Sequence, residues 1–336
     1  MVTSQYKNIG DEPLIQVENL SVEFHTQGGV VNAVNNVSFS IREGERVGIV
    51  GESGAGKSVT AKSIMQLIEE PGKITSGRIQ YQGEDVLEYD NNEIRDFRGE
   101  QAGLIFQNVQ SHLNPVYTVG DQVAEAIRLH NDVTRSEAKE DAIDMLTQVG
   151  IPDAEDRYSD YPHSFSGGMK QRVLIAIALA CDPDVLIADE PTTALDVTTE
   201  AQILRLIKEL CEETGTALLF ISHDLSVIAE LCNRVIVMYA GEVVEQSPVK
   251  ELFEEPLHPY TEGLLQALPS RAAEGEQITS IPGEVPDPIA LPGGCSFHPR
   301  CPYAVEECTV ENPPLLDVDE RKVRCYKYVD DVEVDT

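Results

Sequence analysis

An α/β fold is what this 336-residue sequence predicts, on three observations. Between residues 14 and 50, the segments LIQVENLSVEF, VVNAVNNVSFSI and RVGIV are β-branched and separated by Gly and Asn, the pattern of strands. RVGIV then runs straight into GESGAGKSVTAKSIMQLI, a glycine-rich turn that opens a helix. A second apolar strand, DVLIADEP, follows the helical stretch FSGGMKQRVLIAIALA, residues 165–180.

Taking the elements in order, residues 1–12 (MVTSQYKNIGDE) form a polar, flexible leader in which Tyr6 has no functional reading. It holds no apolar signal core, so residence in the cytoplasm is expected. In that reducing compartment, disulfides are the least expected use of the seven cysteines. The longest apolar run, Val173 to Cys181, is half a membrane span. With 58 acidic against 25 basic residues the net charge is −33, which disfavours nucleic acid as a partner. Acidic charge spread along the chain, with few lysines, suits solubility in concentrated salt. A halophilic source is predicted on composition alone.

The turn after RVGIV reads Gly51-Glu52-Ser53-Gly54-Ala55-Gly56-Lys57-Ser58-Val59, a G-x-x-x-x-G-K-[ST] phosphate loop. Glycines let backbone N–H groups turn inward around phosphate oxygens, and the next helix aims its N-terminus at the same anion. Lys57 reaches the β- and γ-phosphates and Ser58 ligates Mg²⁺, so ATP and Mg²⁺ are the predicted ligands.

DVLIADEP places two carboxylates at the end of four apolar residues, costly unless a cation or a reaction waits there. Asp189 suits Mg²⁺, and Glu190 is placed to polarise a water that attacks the γ-phosphate. On the other side of the strand, Ser166-Gly167-Gly168 precedes a helix and makes a second anion-binding N-terminus. One nucleotide needs one such cradle, so the second serves a nucleotide held by a partner subunit. Further upstream, TRSEAKEDAIDMLTQVG predicts a helix with a Thr134–Glu137 capping box, an apolar stripe of Ala142, Met145, Leu146 and Val149, and a stop at Gly150.

Here the sequence closely resembles the ATP-binding subunits of ABC transporters. Ser166-Gly167-Gly168 is similar to their signature motif, with Met169 where many members have Gln. LIFQ puts Gln107 at the Q-loop, PTTALD puts Asp196 in the D-loop at the dimer interface, and FISHDL puts His223 at the switch position. HLNPVYTVGDQ, YPHSFSGGMKQR, DEPTTALDVTTEAQI, VMYAGEVVEQ, HPYTEGLL and IPGEVPDPIALPGGCSFHPRCPYA resemble the oligopeptide and dipeptide importers, a branch that includes nickel importers. That branch usually has Asp-Pro after the Q-loop glutamine, where this chain has Asn108-Val109.

The resemblance implies a RecA-like P-loop ATPase core with an antiparallel β-subdomain and an α-helical signature subdomain. It divides the chain into an ATP-binding domain over 13–255, with the helical subdomain at about 108–180, and a cysteine-containing extension over 256–336. It also implies transport-coupled ATP hydrolysis at the cytoplasmic face of the membrane. The implied assembly is a second ABC ATPase in a heterodimer, two membrane permease subunits, and an external substrate-binding protein acting through the permease. Gln107 joins Ser58 and Asp189 at Mg²⁺, Phe24 stacks on adenine, and His223 orients the attacking water. Non-transport ABC ATPases are the rival class. Translation members generally carry two modules and repair members long insertions, both absent here.

Beside these, Phe24 reads equally well as a strand residue facing the core, with His25 the next candidate. His163, Cys181, Cys211 and Cys232 read as structural or incidental. The remaining cysteines, Cys295, Cys301, Cys308 and Cys325, are spaced by five, six and sixteen residues. Zinc sites usually show a C-x₂₋₄-C knuckle, which is missing. A four-thiolate iron–sulfur site tolerates wider loops, and Cys301-Pro302 fits one. The family resemblance implies a [4Fe–4S] cluster; Zn²⁺ and free thiols are the alternatives, with His298 a spare ligand.

Overall fold

The computed structural model describes residues 12–107, 112–193, 195–268 and 281–329. Tyr6, most of the leader and Asn108-Val109 lie outside the described residues. The chain divides into two compact units, one of residues 1–13, 41–45 and 88–220, the other of residues 14–40, 46–87 and 221–336.

In the first unit, strands Ala102–Ile105 and Val185–Asp189 pair in parallel, with Ala217–Ser222 next in strand order. Val185 to Asp189 are all buried, as expected of a strand covered on both faces. Helices Val119–His130, Arg135–Gln148, Gly167–Leu179 and Val197–Thr214 surround them in sequence. The capping box forms as its spacing predicts. Thr134 Oγ1 accepts the Glu137 N–H at 3.3 Å, and Glu137 accepts the Thr134 N–H at 2.8 Å. Ala142, Leu146 and Val149 are fully buried, Met145 half-buried, and Gly150 ends the helix at φ 76°.

The second unit holds a four-stranded antiparallel sheet in the order Gly29–Ile41, Ile15–Thr26, Gly72–Tyr81, Glu84–Asp85. It also holds strand Arg46–Val50, parallel to Arg234–Tyr239, which turns back at Ala240-Gly241 into Glu242–Pro248. Both turn residues have positive φ, the geometry of a tight hairpin. Two three-residue strands from the far C-terminal part, Leu316–Val318 and Arg321–Val323, pair with each other, and Arg321–Val323 also pairs with Glu242–Pro248. Their turn, Asp319-Glu320, again has positive φ at both residues. The extension is therefore built into the same strand set as the strand leading to the phosphate loop.

Two buried acids anchor that attachment. Glu242 accepts from Asn35, Asn312 and Ser296, and Glu245, fully buried, accepts the N–H groups of Leu257 and His258 at 3.0 and 2.9 Å. Burial raises both carboxyl pKa values, with the hydrogen bonds partly opposing it. His258 is 2% exposed and begins helix Pro259–Gln266, its Nδ1 accepting the Tyr260 N–H at 3.0 Å. Burial lowers its pKa to about 3, so the ring is neutral, as an accepting Nδ1 requires.

A folded pKa below the unfolded one means that the unfolded chain binds the His258 proton first as pH falls. The stability from a neutral His258 is complete above pH 6.5 and lost from there toward about 3. The two raised glutamates act in the opposite direction, gaining their protons in the folded state. His258→Asn keeps an acceptor but cannot titrate. In urea titrations between pH 7 and 5, the parent is expected to lose up to ~1.4 kcal/mol per pH unit more than this variant. Equal slopes would contradict the assignment.

Candidate functional site

The phosphate loop lies in the second unit, between strand Arg46–Val50 and helix Lys57–Ile64. Gly54 and Gly56 have φ of 82° and 94°, which side-chain-bearing residues rarely adopt. A Cβ at Gly51 would stand 2.2 Å from the Met238 carbonyl oxygen, and one at Gly56 2.4 Å from that of Ala33. Neither position tolerates a side chain without backbone movement. Gly54 has open space above it, and Ser53 and Gly54 are exposed. Ala55 is buried and its carbonyl accepts the Gly241 N–H, while Ser58 and Val59 are half-buried in the first helical turn.

Lys57 is 6% exposed, and its Nζ donates to the carbonyl oxygens of Gly51 at 2.8 Å and Glu52 at 3.1 Å. Glu52 is held from the other direction by the extension. Its N–H donates to the Tyr260 hydroxyl at 2.9 Å. Its carboxylate takes a two-pronged pair from Arg300, Nη1 to Oε2 at 2.6 Å and Nη2 to Oε1 at 3.2 Å. The Arg300 side chain is 4% exposed, with Nε on the Pro282 carbonyl, Nη2 on that of Ile281, and Nη1 also on the Tyr239 hydroxyl. Burial alone would lower its pKa, but Glu52 and Tyr239 outweigh it and the pKa is raised. Tyr239, Tyr260 and Phe297 pack around the pair with ring centroids 4.6 to 5.4 Å apart. Arg300 and Tyr260 were not singled out from sequence; the signal was that both lie in stretches resembling the importer branch, Tyr260 in HPYTEGLL and Arg300 beside Cys301.

Phe24 is half-buried at the end of strand Ile15–Thr26, its ring against Gly72 across the ladder. His25 is exposed, 3.4 Å from Glu23. His223 follows strand Ala217–Ser222, exposed, just before Asp224 caps the helix Leu225–Leu231.

In the first unit, Asp189 is the buried last residue of its strand, 4% exposed. Glu190 follows at φ 45°, a left-handed conformation that a glutamate adopts only when its surroundings hold it. Its carboxylate accepts from Gln107 Nε2 at 2.9 Å and Thr193 Oγ1 at 3.1 Å. Thr193 also donates to the Glu190 carbonyl, fixing the turn. The arrangement presents a partly exposed carboxylate on a fixed backbone, beside an amide and a hydroxyl.

Ser166 caps the helix Gly167–Leu179, its hydroxyl accepting the Met169 N–H at 3.4 Å, and Ser166 and Gly167 are exposed. A Cβ on Gly168 would lie 2.5 Å from Thr199 Cγ2. Thr199 is in turn held by Asp196, which caps Val197–Thr214 by accepting the N–H groups of Thr198 and Thr199. Those hydrogen bonds lower the Asp196 pKa. His163 stacks on Tyr161. Cys211 and Cys232 are buried, Cys181 half-buried.

All seven cysteines are free, and Cys295, Cys301, Cys308 and Cys325 line one small cavity with His298 and Tyr303. Backbone N–H groups two residues on bond to three of the sulfurs: Phe297 to Cys295, Tyr303 to Cys301 and Lys327 to Cys325. His298 Nδ1 is instead 2.9 Å from the Cys295 carbonyl oxygen. A zinc ion held by four thiolates needs sulfurs about 3.8 Å apart. Among the described residues, the one set of three or more ligand atoms all within 4.8 Å of one another is that of Asp96, Glu100 and His130, so no three of the four sulfurs stand as close together as zinc requires. Four convergent thiols with N–H donors fit a larger polynuclear group.

Comparison with known proteins places the chain in a family. Residues 34–193 match the ABC transporter family model, and residues 244–308 match that of the oligopeptide/dipeptide transporter C-terminal region. The dipeptide transport ATP-binding protein DppD of Escherichia coli is 47% identical over 319 residues, 95% of this chain and 98% of that protein. Among solved structures, the dimeric ATP-binding cassette MJ0796 bound to ADP and Pi aligns at TM-score 0.63 and 30% identity, over 70% of this chain and 98% of its own. CbiO1 of Clostridium perfringens, part of an ABC transporter complex, aligns at TM-score 0.62 and 29% identity, over 73% and 92%.

Burial pushes the Cys295 thiol up to about 12 and Cys325 to about 11, with the neighbouring sulfurs adding to it. In the metal-free chain at pH 8.5, iodoacetamide is expected to label both at least about tenfold more slowly than an ordinary thiol. Labelling at the ordinary rate in the folded chain would contradict that environment. With its motifs, its site and its relatives in agreement, the chain belongs to the ABC transporter ATPases that carry an oligopeptide/dipeptide transporter C-terminal region.

Proposed function

We propose that this ATPase powers the import of di- or oligopeptides through a separate membrane permease, paired with a second ABC ATPase at the cytoplasmic face. The observation that carries the reading is the grip of the transporter-type extension on the phosphate loop, through Arg300 and Tyr260 to Glu52. An extension that only trailed behind the ATPase would have no reason to be built into it. Among the described residues no helix is long and apolar enough to cross a membrane; the separate permease rests on the family branch. Asymmetric pairing rests on the family branch; the dimeric state of the MJ0796 cassette supports pairing as such.

In this mechanism Lys57 leaves the Gly51 and Glu52 carbonyls for the β- and γ-phosphates, while the amides of residues 53–59 cradle them. Phe24 stacks on the adenine. Ser58, Gln107 and Asp189 would hold Mg²⁺, which supplies charge neutralisation at the phosphates. Glu190 accepts the proton of the attacking water, with Gln107 and Thr193 fixing its carboxylate, and His223 orients that water. Ser166, Gly167 and Gly168 present the N-terminus of their helix to the γ-phosphate of the partner's ATP, with Asp196 at the same interface. Binding ATP therefore favours the closed pair and hydrolysis releases it.

Cys295, Cys301, Cys308 and Cys325 would hold a [4Fe–4S] cluster, which supplies a cross-link between loop 295–308 and the strand end before Cys325. The net charge of −33 supports the halophilic reading, so the assays belong in molar salt.

The chain, its partner ATPase, the permease pair and the external receptor are reconstituted in vesicles. ATP hydrolysis is expected to rise when a peptide-loaded receptor is added and to stay low with the empty receptor. Stimulation by a nickel-loaded receptor alone would overturn the peptide assignment. The anaerobically purified chain is expected to hold about four irons and four sulfides; zinc, or no metal, would remove the cluster.

A further inference from the structure

We infer that Arg300 and Tyr260, both in the C-terminal extension, are positioning residues for the phosphate loop. They act on nucleotide binding through the Glu52 peptide. The inference rests on the ATP reading of that loop and adds two residues to it.

Three polar groups of Glu52 are engaged, and they divide by direction. The carbonyl oxygen accepts from Lys57 Nζ at 3.1 Å, on the side of the nucleotide. The N–H and the carboxylate go to Tyr260 and Arg300, 208 and 248 residues further along the chain. A peptide is planar, so fixing the Glu52 N–H and side chain limits how its neighbouring carbonyls can turn. The Gly51 and Glu52 carbonyls both accept from the lysine ammonium. At Gly51 the chain runs so near the Met238 carbonyl that even a Cβ would stand 2.2 Å from it, which narrows the room for this residue to adjust. The extension's two residues thus set the direction of the oxygens from which Lys57 departs.

The supports are themselves rigid. Arg300 is fastened by the carbonyls of Pro282 and Ile281 and by the Tyr239 hydroxyl, and lies over the faces of Tyr239 and Phe297. Tyr260 is fully buried in the first turn of the helix that His258 caps. A guanidinium fork matched to a carboxylate carries orientation as well as charge, which an ammonium would not reproduce. A pair needed only to attach the extension could sit anywhere on the strand set. This one sits on the second residue of the phosphate loop.

The test measures MgADP affinity by calorimetry and, separately, the melting temperature without nucleotide, on the full chain in molar salt. Tyr260→Phe removes only the oxygen that accepts the Glu52 N–H. It is expected to weaken MgADP about 3- to 10-fold at a temperature well below unfolding, while the unsatisfied N–H lowers the melting temperature by no more than a few degrees. Arg300→Lys keeps the charge and loses the fork, and is expected to weaken MgADP at least about tenfold. Combining Arg300→Lys with Glu52→Gln should cost no more affinity than the worse of the two singles, because both act through one contact. Parent-like affinity in both Tyr260→Phe and Arg300→Lys, with a lowered melting temperature, would overturn the inference and leave the contacts as simple attachment. A parent chain that binds no MgADP would sink the nucleotide reading itself, and this inference with it.

Discussion

Lys57 is a buried ammonium that donates to the Gly51 and Glu52 carbonyls, and in the proposed nucleotide site its reach depends on where those oxygens point. A buried cation without acceptors is costly, so the Gly51 and Glu52 carbonyls are a parking place as much as a support. Their direction is set by close approach on one side and by an ion pair on the other. Gly51 is pressed on the Met238 carbonyl, at the end of the strand that runs parallel to Arg46–Val50. Glu52 is tied to Arg300 and Tyr260. Arg300 is 4% exposed and Glu52 31%, so removing the carboxylate would leave a buried guanidinium without its partner, whereas removing Arg300 would leave a carboxylate that water can reach.

That tie explains why the C-terminal residues are organised as they are. Arg300 stands one residue before Cys301, and Phe297, which packs on Tyr239 and Tyr260, lies two residues after Cys295. The segment that carries the cysteines is the segment that reaches the phosphate loop. Glu245 fixes the start of the Pro259–Gln266 helix by taking the Leu257 and His258 N–H groups. The hairpin of residues 316–323 then pairs with the same strand as Glu245. Buried acids that would otherwise be a burden become anchors because backbone N–H groups and asparagine amides satisfy them.

Much of the local chemistry was legible in the sequence because it is written at short range. The phosphate loop, the Thr134–Glu137 capping box and the Asp189-Glu190 strand end each lie within a few residues, and the family resemblance joined them. Met145 shows the limit of that reading: it shares the predicted stripe yet is only half-buried, because a stripe gives a face and not a depth. The strands Leu316–Val318 and Arg321–Val323 are three residues long, too short for alternation to show. Arg300 and Glu52 are 248 residues apart, and no local pattern encodes that pairing. The left-handed backbone of Glu190 was equally hidden, since nothing in DVLIADEP requires positive φ at a glutamate.

In the proposed reaction, Glu190 is the group that takes the water's proton. The most direct measurement is steady-state phosphate release by the reconstituted complex carrying Glu190→Gln in this chain and in its partner's equivalent position, with MgATP binding measured in parallel. Hydrolysis reduced by about 10²- to 10⁴-fold with binding retained is the predicted result. A variant complex that releases phosphate as fast as the parent would contradict it.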